Sequence, residues 1–284
     1  MEHKLKKKKF NYKKIACFLL VLVLAIVWIT PLIWAILTSF KSEVEVQTTG
    51  FSILPAKWVV ENYIDVLSDT TVTPIIKWFG NSLFVSVTHT ILAVIISSME
   101  AYAYSRLNFK GKNTIFGFLL MTMMFPAVVN LIPLYKIMDT LNWVNTSWAL
   151  IFPGLGGVVN IFLIRQFMMG IPKEYDESAR VDGASTWRIY TKIIVPLCKP
   201  ILIIVGLFSF TGSWNDFLWP TIIMNDTAKL TLTAGLRTLQ TGYSIKVAHL
   251  MAVTVLAILP TLILYLVAQK YFMEGLSLQS GVKG

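Results

Sequence analysis

Six apolar stretches decide most of what this chain can become. They run at about 15–39, 80–104, 114–135, 147–168, 200–220 and 248–270, and each approaches or exceeds the roughly 20 residues needed to cross a bilayer core. Only 14% of the residues are charged, where a soluble domain carries about 25%. The expected fold class is therefore an all-α membrane protein of six transmembrane helices. The first apolar run is longer than the 7–15-residue core of a signal peptide and lacks a small-x-small cleavage site, so it reads as an uncleaved span. The expected sections are a basic N-terminus at 1–14, a first span with its external loop at 15–79, a five-span core at 80–270, and a tail at 271–284.

Charge placement orients the spans. An even number of crossings puts both termini on one side. Of the 25 Lys and Arg, 18 fall in the N-terminal segment, the 106–112 turn, the 165–199 region and the tail. The positive-inside rule then predicts that both termini and the loop at 169–199 are cytoplasmic. The net charge of +10 is thus explained by membrane orientation and does not call for nucleic acid. On the other side, loop 40–79 is expected to hold a short interfacial helix, with Trp58 and Trp78 at headgroup level. Loop 221–247 is polar and Thr-rich.

The longest polar interruption rich in both charges is Ile171–Pro200. Pro172 suits a helix's first turn, and Asp176 and Arg180 are spaced to pair along one face. Gly183 can break that helix. Ser185 or Thr186 can cap a second one, whose apolar positions Trp187, Tyr190, Ile194 and Leu197 follow helical spacing. Pro196 and Pro200 mark the bend into the next span. A helix, a glycine turn and an amphipathic helix between two spans form a docking element.

This loop resembles the signature loop of permease subunits in binding-protein-dependent ABC importers. The family pattern is Glu-Ala-Ala, three residues, Gly, nine residues, then Ile-x-Leu-Pro. Here Glu177-Ser178-Ala179, Gly183 and Ile193-Ile194-Val195-Pro196 keep that spacing, with Ser178 in place of Ala and Val195 in place of Leu. Asn81-Ser82-Leu83, Tyr104-Ser105-Arg106, Ile132-Pro133-Leu134-Tyr135, Trp214-Asn215-Asp216-Phe217 and the final Gly281-Val282-Lys283-Gly284 also resemble carbohydrate importers of the maltose-transporter type. The resemblance implies the type I ABC importer permease fold in the plasma membrane of a prokaryote. It implies a sugar or oligosaccharide as substrate and a coupling helix built from Glu177, Ser178, Ala179, Arg180 and Asp182, ended by Gly183. Glu177 would meet the ATPase, and Ala179 would permit close approach to it. The implied partners are two copies of an ABC ATPase subunit, a second, homologous permease and an extracytoplasmic sugar-binding protein. The tail from Gly275 to Gly284 would reach toward the ATPase dimer.

No catalytic or metal site is expected on this chain. Gly154, Gly156 and Gly157 begin like a dinucleotide fingerprint but lack its third glycine; beside Pro153 they fit close packing or a local break. His3, His89 and His249 have no metal-ligand spacing. The chain is not expected to be an enzyme, and ATP and Mg are expected on the partner ATPase. Polar groups inside spans are costly unless paired or functional, which makes Asn81, His89, Asn130, Asn160, Trp214 and Asn215 candidates for a translocation path. Interhelical hydrogen bonding is the competing reading for each. Glu100 lies near the inner end of the second span and reads as an acid reaching the headgroups or Arg106. As a proton relay it would make the chain an ion-coupled secondary transporter, the alternative class alongside an ABC permease for a non-sugar solute.

Overall fold

The computed structural model describes residues 12–48, 52–70, 73–240 and 246–280. The lysine run before Tyr12 and the last four residues lie outside them. In chain order the helices are α1 (Tyr12–Ser39), α2 (Glu43–Thr48), α3 (Glu61–Ser68), α4 (Ile75–Arg106), α5 (Lys112–Thr122) and, after a 3-10 turn at Ala127–Asn130, α6 (Leu131–Thr140). There follow α7 (Trp148–Ile151), α8 (Val158–Met169), α9 (Glu174–Val181), α10 (Thr186–Ile189), a π-helical turn at Tyr190–Ile194, α11 (Val195–Leu197) and α12 (Lys199–Asn215). The last are α13 (Leu218–Ile223), α14 (Leu232–Gln240) and α15 (Val247–Ser280). No strand occurs among the described residues.

Among the described residues, three helices are long and apolar enough to cross a membrane unbroken: Tyr12–Ser39, Ile75–Arg106 and Val247–Tyr271. Two further stretches are bent pairs, the first covering the expected span at 114–135 and the second joining the loop's second helix to the expected span at 200–220. Residues 112–140 turn by 93° at the break before Ala127, and residues 186–215 turn by 79° between Leu197 and Lys199. Prolines explain both, since Pro126 precedes the first break and Pro196 and Pro200 flank the second. The expected fourth span is divided: α7 ends at Ile151, Gly154 adopts φ +81°, and the 12-residue α8 follows. The length criterion thus gives three to five spans where the hydropathy of the sequence suggests six.

The chain forms two compact units, Met1–Val66 with Ser244–Val255, and Leu67–Tyr243 with Leu256–Gly284. In the first, Asn62 lies buried and donates through Nδ2 to the carbonyls of Ser39 and Lys41 at 2.9 and 2.8 Å, which fixes the turn after α1. Glu43 accepts from the backbone N–H groups of Val247 and Ala248 at 2.9 and 3.0 Å. A carboxylate there matches the positive end of α15. Loop 40–79 contains the short helix α3.

The second unit is built on α4, which packs against α8 and α12. Its core includes Ala101, Tyr102, Ile161, Ile164, Met168, Ile194 and Val205, drawn from these helices and the loop after α8. Trp78, expected at headgroup level, is instead fully buried, and its indole Nε1–H donates to the carbonyl of Thr227 at 2.6 Å. The segment Thr227–Leu232 supplies a carbonyl partner inside the fold, so the ring does not need the interface.

Candidate coupling loop and translocation path

The loop after α8 closes on itself as its residue types dictate. Gly183, at φ +76°, follows the C-cap of α9. Its N–H reaches the Arg180 carbonyl at 3.0 Å, and the N–H of Ala184 reaches Ala179 at 2.9 Å. These two bonds are the 5→2 and 6→1 pair of a Schellman ending, which needs a left-handed residue at that position. Ser185 then caps α10, its Oγ accepting from the Arg188 N–H at 3.3 Å. Glu177, Ser178, Arg180, Asp182 and Gly183 are all exposed. Ala179 is turned the other way, 8% exposed and part of the core, so the close approach that its size allows is to this chain's own helices.

Asp176 does not pair with Arg180 as their spacing suggests. Its Oδ2 takes Arg106 Nη1 at 2.8 Å, with both side chains buried. Arg106 Nη2 donates further to the carbonyls of Met168 and Ile171 at 2.6 and 2.7 Å. One guanidinium therefore joins the end of α4, the end of α8 and the first turn of α9. Tertiary geometry overrides the i,i+4 rule because a planar fork with five donors can satisfy three oxygens that an exposed Arg180 cannot reach. Lys112 Nζ completes this end by donating to the terminal α4 carbonyls of Ser105 and Leu107 at 3.3 and 2.9 Å. Arg106, Asp176, Lys112, Lys173, Glu177 and Arg180 surround a recess of about 280 Å³. Glu100 does not take part, and its Oε2 is buried without a hydrogen-bond partner. The clue missed in the sequence is the single Arg at the end of a long apolar span, facing a loop with an acid two residues inside its helix.

The candidate path residues do not form one site. Asn81 Nδ2 donates to the carbonyls of Ala228 and Leu230, both at 3.0 Å, and so ties down the segment before α14. Asn160 Nδ2 donates to Ser209 Oγ at 3.0 Å, bridging α8 and α12. Trp214 is 1% exposed, stacks on Phe210 and donates to the Ala257 carbonyl at 2.9 Å, so no ring face is left for a sugar. Asn130 and Asn215 are exposed. His89 lines a substantial cavity, of about 360 Å³, together with Ser213, Asp216, Trp219 and Thr231.

A family model described as "Binding-protein-dependent transport system inner membrane component" matches residues 93–277, which include the whole loop. The arabinooligosaccharides transport system permease protein AraQ of Halalkalibacterium halodurans is 35% identical over 92% of this chain and 93% of that protein. The trehalose/maltose transport system permease protein MalG of Thermococcus litoralis is 33% identical over 93% of this chain and 95% of its own length. In fold, the chain matches a subunit of a bacterial ABC transporter that imports the acidic polysaccharide alginate. The TM-score is 0.83 at 24% identity, over 95% of this chain and all of that one. The chain belongs to the family of inner-membrane components of binding-protein-dependent transport systems, as a multi-pass ABC transporter permease.

Proposed function

We propose that this chain is one permease half of an ATP-driven importer for a sugar or oligosaccharide. It pairs with a second, homologous permease. Two copies of an ATPase subunit bind on the cytoplasmic side and carry ATP and Mg, and an extracytoplasmic binding protein delivers the substrate. Relatives named for arabinooligosaccharide and trehalose/maltose transport support the carbohydrate class.

The observation that carries the mechanism is the Arg106 junction. The exposed face of α9, with Glu177, Ser178, Arg180 and Asp182, is the surface offered to the ATPase. A short helix seated in a cleft moves with the body that holds it. Arg106 turns such a movement into displacement of α4, because Asp176 sits on α9 and the guanidinium is anchored to the end of α4. α4 in turn packs along α8 and α12, so the substrate-facing part of the unit moves with it. Gly183 and Ala184 keep α9 from continuing into α10, which preserves a separate lever.

The test is to co-purify the chain with its cognate ATPase, second permease and binding protein, and to measure sugar uptake and ATP hydrolysis in proteoliposomes. Uptake that requires ATP and the binding protein is expected. Uptake that persists without ATP and stops on adding a protonophore would replace this reading with a secondary carrier.

A further inference from the structure

The cavity at His89 holds a buried polar atom without a partner, Thr231 Oγ1. Its walls are largely apolar, from Val85, Leu131, Leu134, Leu150, Pro153 and Pro220. Into it come four groups able to hydrogen-bond. Thr231 is 2% exposed, and its Oγ1 has no partner. Burying a hydroxyl unpaired is costly and calls for an occupant that pairs with it. His89 Nδ1 lies 2.7 Å from the Ile151 carbonyl, which can only accept, so Nδ1 carries a proton and Nε2 is the ring nitrogen left for an occupant. Asp216 Oδ1 accepts from the N–H groups of Leu218 and Trp219 at 3.2 and 3.3 Å, leaving Oδ2 uncommitted by these bonds. Ser213 supplies a second hydroxyl.

We infer that this cavity is a subsite for one neutral sugar ring, supplied by this chain itself and not left to its partner permease. The inference rests on the carbohydrate reading above and narrows it. An apolar cleft with a few convergent polar groups is the general form of a small-ligand site, and about 360 Å³ lies at the lower end of the usual range of about 300–1,000 Å³. That space corresponds to about a dozen waters, enough for a ring and too little for an extended oligosaccharide. The polar groups are weighted toward acceptors, which suits a ligand rich in hydroxyl donors. Among the described residues, no Lys or Arg lines the cavity, and its one carboxylate is Asp216. A uronic acid would bring a second carboxylate with no cation to offset it. The cavity thus favours neutral sugars over acidic ones.

Gly212 provides the sharpest test. A Cβ built there meets nothing within 4 Å, so a larger side chain can enter the cavity without displacing a neighbour at its root. The assembled importer is purified without its binding protein and titrated at equilibrium with a radiolabelled neutral trisaccharide, using galacturonate trimer as competitor. Saturable binding is expected, weakened at least tenfold by Gly212→Leu and about threefold to tenfold by Thr231→Val, with no competition from the uronate. If Gly212→Leu fails to assemble, the nearly isosteric Thr231→Val still decides. Equal binding by wild type and variants overturns the subsite, and equal competition by the uronate overturns its preference for neutral sugars. Absence of saturable binding to the wild type also overturns the subsite. ATP-dependent sugar uptake by the same preparation in proteoliposomes would then leave the importer reading standing.

Discussion

The two ends of α4 are fastened in opposite ways. At the C-terminal end one cation, Arg106, holds three oxygens on two other helices and the loop between them. At the N-terminal end the work is divided among neutral side chains. Trp78, Asn81 and Ser82 each bond to the backbone of residues 227–232, at distances from 2.6 to 3.0 Å. A buried charge that has lost its partner is expensive, whereas a neutral hydrogen bond is worth about 0.5–1.5 kcal/mol net. The C-terminal end is thus a junction whose link to α9 runs through one buried cation, while Lys112 and Arg165 add bonds to the carbonyls of Ser105, Leu107 and Tyr104. The N-terminal end is a distributed clamp that tolerates piecewise loss.

Arg106→Ala should therefore have the largest effect. It leaves the Asp176 carboxylate buried and two carbonyls unpaired, at a cost of about 3–5 kcal/mol. Uptake in proteoliposomes should fall to background, and ATP hydrolysis should lose its dependence on the binding protein. The charge-swapped pair Arg106→Asp with Asp176→Arg should fail to restore coupling, because an Asp at 106 cannot donate to Met168 and Ile171. Restored uptake in the swap would reduce the junction to a simple ion pair and remove the distinction between the two ends.

At the other end, Gly235→Ala is the change most able to make the distributed clamp fail as a whole. A Cβ there would collide with the Trp78 ring, which is fully buried and cannot move aside. Overpacking of this kind costs about 1–3 kcal/mol, and the closeness of the collision places this variant at the upper end. The melting temperature of the purified complex should drop, while hydrolysis in the surviving fraction should stay responsive to the binding protein. Asn81→Ala should follow with about 1–3 kcal/mol, since it strands two carbonyls but leaves Trp78 and Ser82 in place. Thermal unfolding of the two variants in detergent checks that order.

The same contrast explains what could be read from the sequence. The helix, glycine turn and capped second helix at 171–200 are legible because Gly183 and Ser185 act locally, each through its own backbone geometry, although the first helix starts at Glu174, two residues after Pro172. The bend at Pro196–Pro200 is legible for the same reason, whereas the break before Ala127 falls inside a stretch that reads as one continuous span. What stayed hidden depends on partners far away in the chain. Trp78 and Asn81 read as an interface anchor and a path residue, because the carbonyls that claim them lie 147–149 positions downstream. Trp214 reads as a path residue because its acceptor, Ala257, lies on another helix. Asp176 was matched to Arg180 by local spacing, and its true partner lies 70 residues upstream. The cavity at His89 was half visible: His89 was chosen for being polar within a span, but nothing in the order of residues brings Asp216 and Thr231 to it.

The smallest expected effect lies within the loop and separates lever from joint. Gly183 sits at φ +76°, yet a Cβ there meets open space, so substitution costs only backbone conformation. Ala should lose about 1 kcal/mol of local stability, and Asn less, since Asn enters the left-handed region more readily. Val should lose the most, because a β-branched side chain is an outlier at positive φ. If Gly183 serves only as the end of α9, the uptake supported per ATP hydrolysed should fall in the order Gly, Asn, Ala, Val, with Asn close to wild type. If all three variants uncouple equally, the exposed surface at 183 itself touches the ATPase, and the joint belongs to the docking face. That outcome would move part of the coupling from the Arg106 junction to the turn, and would narrow the difference between the two ends of α4 that the other variants are meant to measure.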